Sequence, residues 1–86
     1  MRIWKYPVPI KSEFSLGMPE GAVPLSFEMQ GEVPTLWAMV DPEMEVVQRY
    51  YMIVGTGHET PGGVGMYIGM VQANSFVWHL FEGSTK

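Results

Sequence analysis

Val23-Pro24-Leu25-Ser26-Phe27-Glu28-Met29, then Gln30-Gly31-Glu32, then Val33-Pro34-Thr35-Leu36-Trp37-Ala38-Met39-Val40-Asp41, is the stretch that decides the fold. In its first part apolar side chains fall at every second position: Val23, Leu25, Phe27 and Met29 alternate with Pro24, Ser26 and Glu28. A period of two is the period of a strand, so the odd-numbered residues are expected to share a buried face. Pro24 has no N–H to give to a ladder, which puts the start of this strand at a sheet edge or a bulge. Gln30-Gly31-Glu32 predicts a tight hairpin turn. Beyond it, Leu36, Ala38 and Val40 alternate with Thr35, Trp37 and Met39, so both faces of Val33–Asp41 are apolar. Such a strand has to be covered twice, as a central strand or at a subunit interface.

Strand patterns continue on either side. Arg2–Tyr6 alternates, and Glu13–Met18 reads as a short strand carrying Phe14, Leu16 and Met18. Asp41-Pro42-Glu43 is a turn, followed by a long strand over Val46–Val54. Met66–Gln72, a turn at Ala73-Asn74 and a last strand over Ser75–Glu82 complete the pattern. That last strand sets Phe76, Trp78 and Leu80 opposite Val77, His79 and Phe81. Prolines at 7, 9, 19, 24, 34, 42 and 61 interrupt the windows a helix would need. Only 43–52 is wide enough, and Val46-Val47 with Tyr50-Tyr51 favours a strand there; one helical turn near Glu43–Val46 is the most it allows. The expected fold is all-β, a small antiparallel sandwich or barrel of six or seven strands. Residues 1–86 form one domain, with Gly83–Lys86 as a frayed tail.

Composition narrows the possible functions. A chain of 86 residues buries a modest core, and with no cysteine it has no disulfide to reinforce it. His58 and His79 are isolated, so no metal site and no cofactor is expected. Charged residues are only 16% of the chain, hydrophobic residues are 47%, and there are eight methionines. Methionine fills irregular cores and adaptable binding surfaces alike, and together these features point to a homo-oligomer. Trp4, Trp37 and Met39 are the residues expected at its interface, since so small a chain cannot bury three indoles. A net charge of −4 with scattered cations excludes binding to long nucleic acid. No apolar run approaches the length of a membrane span, and the N-terminus enters a strand pattern with no apolar signal core. A cytoplasmic location is expected.

The chemistry concentrates in one loop. Ile53-Val54-Gly55-Thr56-Gly57-His58-Glu59-Thr60-Pro61-Gly62-Gly63-Val64-Gly65 holds five of the ten glycines and one of the two histidines. Backbone freed of Cβ can turn N–H groups toward an anion. The loop lacks the lysine and helix N-terminus of a P-loop, so a nest of N–H groups is the binding mode it allows. The plain alternative is an irregular hairpin loop. Gly55, Thr56, Gly57, His58, Gly62 and Gly63 are the candidate ligand contacts. Arg49, flanked by Tyr50 and Tyr51, is a further candidate that could stack or grip a phosphate, or could pair with Glu28 or Glu82. No catalytic residue is expected. His58 lacks a nucleophile motif, and His79 reads as a partly buried residue with a hydrogen-bond partner.

Four local motifs also carry a resemblance. Ile3-Trp4-Lys5-Tyr6-Pro7, Leu36-Trp37-Ala38-Met39-Val40-Asp41-Pro42, Gly55-Thr56-Gly57-His58 and Val77-Trp78-His79-Leu80-Phe81-Glu82 resemble, in the same order, a family of very short phage and bacterial proteins of unknown function. The resemblance spans roughly residues 1–82 and brings no assigned activity. It implies a phage context, in which small domains often counter host defence. On this reading the chain is a non-enzymatic counter-defence protein that sequesters a small anionic nucleotide in an oligomer. The alternative is an inhibitor that binds a host defence protein through a Met- and Trp-rich patch.

Overall fold

The computed structural model describes residues 1–83. They form seven strands: β1 (Arg2–Pro7), β2 (Glu13–Pro19), β3 (Val23–Gln30), β4 (Val33–Val40), β5 (Val46–Gly55), β6 (Val64–Ala73) and β7 (Phe76–Gly83). The described residues include no helix, and no helical turn forms at residues 43–45. Every pairing is antiparallel. One sheet has the order β1-β4-β3 and the other β2-β5-β7-β6. The fold is therefore all-β with no closed barrel, compatible with a small sandwich. The part of the tail that includes residues 84–86 lies outside the described residues, while Gly83 belongs to β7.

Two hairpins follow from backbone chemistry. Between β3 and β4 a two-residue turn places Gly31 at φ +60°. Between β6 and β7 the turn residues are Asn74 and Ser75, with φ of 53° and 68°. Two positive φ values in succession make the hairpin turn that matches strand twist. The turn is thus one residue later than expected, because Ala73 stays in the ladder opposite Phe76. At the end of β4 the Asp41 carboxylate accepts the Glu43 N–H at 3.1 Å, closing the Asp41-Pro42 turn.

The alternation of β3 is only half right. The register shifts between Pro24 and Ser26, making Leu25 the extra residue of a bulge. A bulge reverses which residues face inward. Val23 and Leu25 are 48% and 45% exposed, while Phe27 beyond the bulge is 3% exposed. Pro24 causes the irregularity, and β3 is an edge strand of its sheet. β4 is the central strand between β1 and β3, with Leu36, Ala38 and Val40 fully buried. Its other face leaves Trp37 and Met39 half-buried.

The core between the sheets gathers Met18, Phe27, Leu36, Val40, Tyr51, Ile53, Val71 and Leu80. β3 also lies against β6 of the other sheet. There a Cβ on Gly69 would sit 3.4 Å from the Cβ of Phe27 and 3.5 Å from its backbone nitrogen, so a larger side chain would separate the sheets. Tyr51 stacks on Phe14 with ring centroids 5.7 Å apart, and its hydroxyl donates to the Met18 sulfur at 3.1 Å. Burial pushes its pKa up to about 12, against a smaller opposing pull from the Arg49 charge. The Tyr6 hydroxyl is sealed in without a partner among the described residues, and burial raises its pKa too.

Candidate functional site

The glycine-rich loop is not a hairpin. β7 lies between β5 and β6 and is antiparallel to both, so β5 and β6 run parallel. β5 ends at Gly55 opposite Trp78, whereas β6 begins at Val64 opposite Gly83. The connection must cross one strand and travel back roughly 16 Å along it, at about 3.3 Å per residue. That requirement explains a loop much longer than a hairpin needs.

The loop opens with a fixed turn. The Gly55 carbonyl accepts the His58 N–H at 3.0 Å, and Gly57 has φ +87°. Positive φ at the third position is the pattern of a type II turn and selects glycine there. The Thr56 N–H donates to the Val77 carbonyl at 3.0 Å, pinning the turn to β7. Gly55 is fixed for a different reason. A Cβ there would come 2.7 Å from His58 Nδ1 and 3.1 Å from Trp78. The His58 ring therefore sits over the Gly55 backbone, edge-on to Trp78 with centroids 6.3 Å apart. Gly62 has open space around it and no left-handed φ, while Gly63 has φ +84°.

Two clefts border this loop. The larger, about 500 Å³, lies between residues 10–13 and the loop, and its lining includes Lys11, Ser12, His58, Glu59 and Trp78. Glu13 also lines it. The smaller, about 240 Å³, is lined by Thr56, Gly57, His58, Thr60, Tyr67, His79 and Phe81, with Val54 and Gly55. His79 alternates with the fully buried Leu80 and so faces away from the core. Both of its ring nitrogens are engaged: Nε2 lies 2.6 Å from Thr56 Oγ1 and Nδ1 2.7 Å from the Tyr67 hydroxyl. Tyr67 also packs edge-on against Phe81 at 5.2 Å.

The structure thus brings Gly55, Thr56, Gly57 and His58 together, with Gly62 and Gly63 further along the same loop. It does not bring Arg49 to them. Arg49 lies six residues before Gly55 on β5, roughly 20 Å away along a strand. Its guanidinium donates to the Ala22 carbonyl at 2.9 Å and to Glu82 Oε1 at 3.1 Å. Of the readings open for Arg49, the pairing with Glu82 is the one observed, and it leaves the cation tying β5 to β7 and to the connection between β2 and β3. The residues that join the loop instead are Lys11, Tyr67, Trp78 and His79. They come from three separated segments, and only the strand register of β6 against β7 could have announced the approach of Tyr67 to His79.

The residues expected at an interface occupy the three-stranded sheet. Trp4 is 39% exposed at the edge strand β1, and Trp37 and Met39 lie on the outer face of β4. Ile3 and Val23 flank Met39 in register, at 63% and 48% exposure. Among the described residues no three His, Cys, Asp or Glu side chains gather as metal ligands. Among the described residues no helix is long and apolar enough to cross a membrane.

These features define a small two-sheet β protein whose longest connection among the described residues is a glycine-rich loop bordered by two clefts. The chain belongs to the family described as a domain of unknown function (DUF7352), whose model matches residues 1–86. No curated protein and no solved structure matches the chain.

Proposed function

We propose that this chain is a non-enzymatic binding protein that sequesters a small nucleotide at the glycine-rich loop, with the base in the larger cleft. The observation that best supports this reading is the seating of His58 over Gly55 and against Trp78. It gives the loop a fixed aromatic wall beside a space of about 500 Å³, within the range of small-molecule sites. Stacking a base on an aromatic side chain is worth about 1–3 kcal/mol. The Glu59 carboxylate in the lining favours a group with N–H donors, as bases present along their edges, over a phosphate. In the phage setting implied by the sequence resemblance, such a protein would act as a sponge for a host nucleotide signal, held by a homo-oligomer. Heat-denaturing the purified protein and identifying released small molecules by mass spectrometry tests this: a stoichiometric nucleotide is expected. Release of none, together with no binding of added nucleotides, would refute it.

A second reading, inhibition of a host protein, has its own support. Exposed Ile3 and Val23 flank half-buried Met39 in an apolar row across the three-stranded sheet beside Trp37. A face of this kind suits a protein surface or another copy of the chain.

A further inference from the structure

We infer that the smaller cleft is an oxyanion subsite, a place for one phosphoryl group of the loop's ligand, organised by His79. This rests on the reading of the loop as a ligand site. The geometry is a hydroxyl–imidazole–hydroxyl chain: Tyr67 at 2.7 Å from Nδ1 and Thr56 at 2.6 Å from Nε2. A neutral imidazole has one donor and one acceptor nitrogen, so the two hydroxyls cannot play the same part. One must give its proton to the ring and the other must accept the ring's proton. A phenol is a stronger acid than an aliphatic alcohol, so Tyr67 donates to Nδ1 and Nε2–H donates to Thr56. Thr56 Oγ1 then turns its own proton away from His79, as a donor held in place by the ring.

Its surroundings suit a group that only accepts hydrogen bonds. The Thr56 backbone is anchored on Val77, which fixes the point from which the hydroxyl reaches His79. No backbone carbonyl among the described residues accepts the N–H of Gly57, the next residue in the lining. No Asp or Glu lines this cleft, in contrast to the larger one. A space of about 240 Å³ accommodates a tetrahedral oxyanion more readily than a nucleoside. The two clefts share Val54, Gly55 and His58, so the base and phosphate sites meet at the loop's turn.

Nitrogen-15 NMR of the full chain tests the inference in two ways. In the wild type, His79 should carry its proton on Nε2. In Tyr67→Phe the Nδ1 acceptor loses its donor, so the single fixed tautomer should give way to a mixture of the two. Titration with inorganic phosphate should shift the amides of Thr56 and Gly57. Thr56→Val should weaken that binding about tenfold or more, the scale of one lost hydrogen bond to a charged group. Thr56→Ser should stay within about threefold, and Tyr67→Phe should weaken it less than Thr56→Val does, because Thr56 keeps its hydroxyl. Adenosine, which has no phosphate, reports separately on the larger cleft through the Trp78 indole. Adenosine shifts at Trp78 without phosphate shifts at Gly57 would overturn this inference and leave the loop reading standing. No shifts with either probe would remove both. An Nδ1–H tautomer in the wild type, or phosphate affinity unchanged in Thr56→Val, would also overturn it.

Discussion

Replacing Gly55 by alanine perturbs the loop's anchor with a single methyl group. The new Cβ would lie 2.7 Å from His58 Nδ1, 2.8 Å from His58 Cε1 and 3.1 Å from Trp78. Ordinary contact begins near 3.5 Å, so the imidazole must move outward by most of an ångström or swing away. Swinging away forfeits its edge contact with Trp78, about 0.5–1.5 kcal/mol for such a pair. Against that, alanine restricts the unfolded chain and returns about 0.4–1 kcal/mol where its conformation is allowed, and Gly55 has no left-handed φ. The net expectation is a loss of at most about 1 kcal/mol, with His58 displaced. The decisive comparison is a double-mutant cycle. In a His58→Ala background the main clash is gone, so Gly55→Ala should be neutral or slightly stabilising, giving a coupling of about 1 kcal/mol. Urea titration of the four proteins measures the coupling, and nuclear Overhauser contacts between His58 and Trp78 report the displacement. Additive effects within about 0.3 kcal/mol, with the His58–Trp78 contact intact in Gly55→Ala, would refute the reasoning.

Three further outcomes follow from the packing and charges. Phe27→Ala should cost about 3–5 kcal/mol, whereas Val23→Ser and Leu25→Ser should cost less than about 1 kcal/mol, because the bulge at Leu25 puts only Phe27 inside; denaturant titration distinguishes them. Arg49→Met should lose about 1–2 kcal/mol, reduced by the partial exposure of the pair with Glu82, while leaving affinity at the loop unchanged. Tyr51 has a folded pKa of about 12 against an unfolded value near 10, so its contribution is fully present below pH 10 and is lost as the pH rises toward 12. Thermal unfolding followed between pH 9 and 12 should show this decline, with a shallower decline in Tyr51→Phe.

What could be read from the sequence, and what could not, follows from the range of each interaction. Strand existence depends on local period and turn chemistry, so Arg2–Pro7, Val33–Val40 and Val46–Gly55 were legible almost to the residue. The inward face of β3 was misread because a bulge changes alternation without changing composition. Pro24 hinted at it, but the shift itself appears only in the pairing with β4. At the site, Thr56, Gly57 and His58 are neighbours in the chain and were visible as one loop. Tyr67 and His79 meet Thr56 only because β7 separates β5 from β6, a matter of strand order that residue patterns do not encode. Arg49 was attractive for its chemistry, and long-range pairing with Ala22 and Glu82 accounts for it instead.

Calorimetric titration of the wild type and of Trp78→Leu with nucleoside monophosphates and cyclic dinucleotides tests the central claim most directly. Removing the indole from the wall of the larger cleft should take away the stacking surface, about 1–3 kcal/mol. The expected result is saturable binding of at least one nucleotide by the wild type, weakened about fivefold or more in a Trp78→Leu protein that remains folded by circular dichroism. Absence of binding heat with every nucleotide tested, or equal affinity in the two proteins, would contradict it.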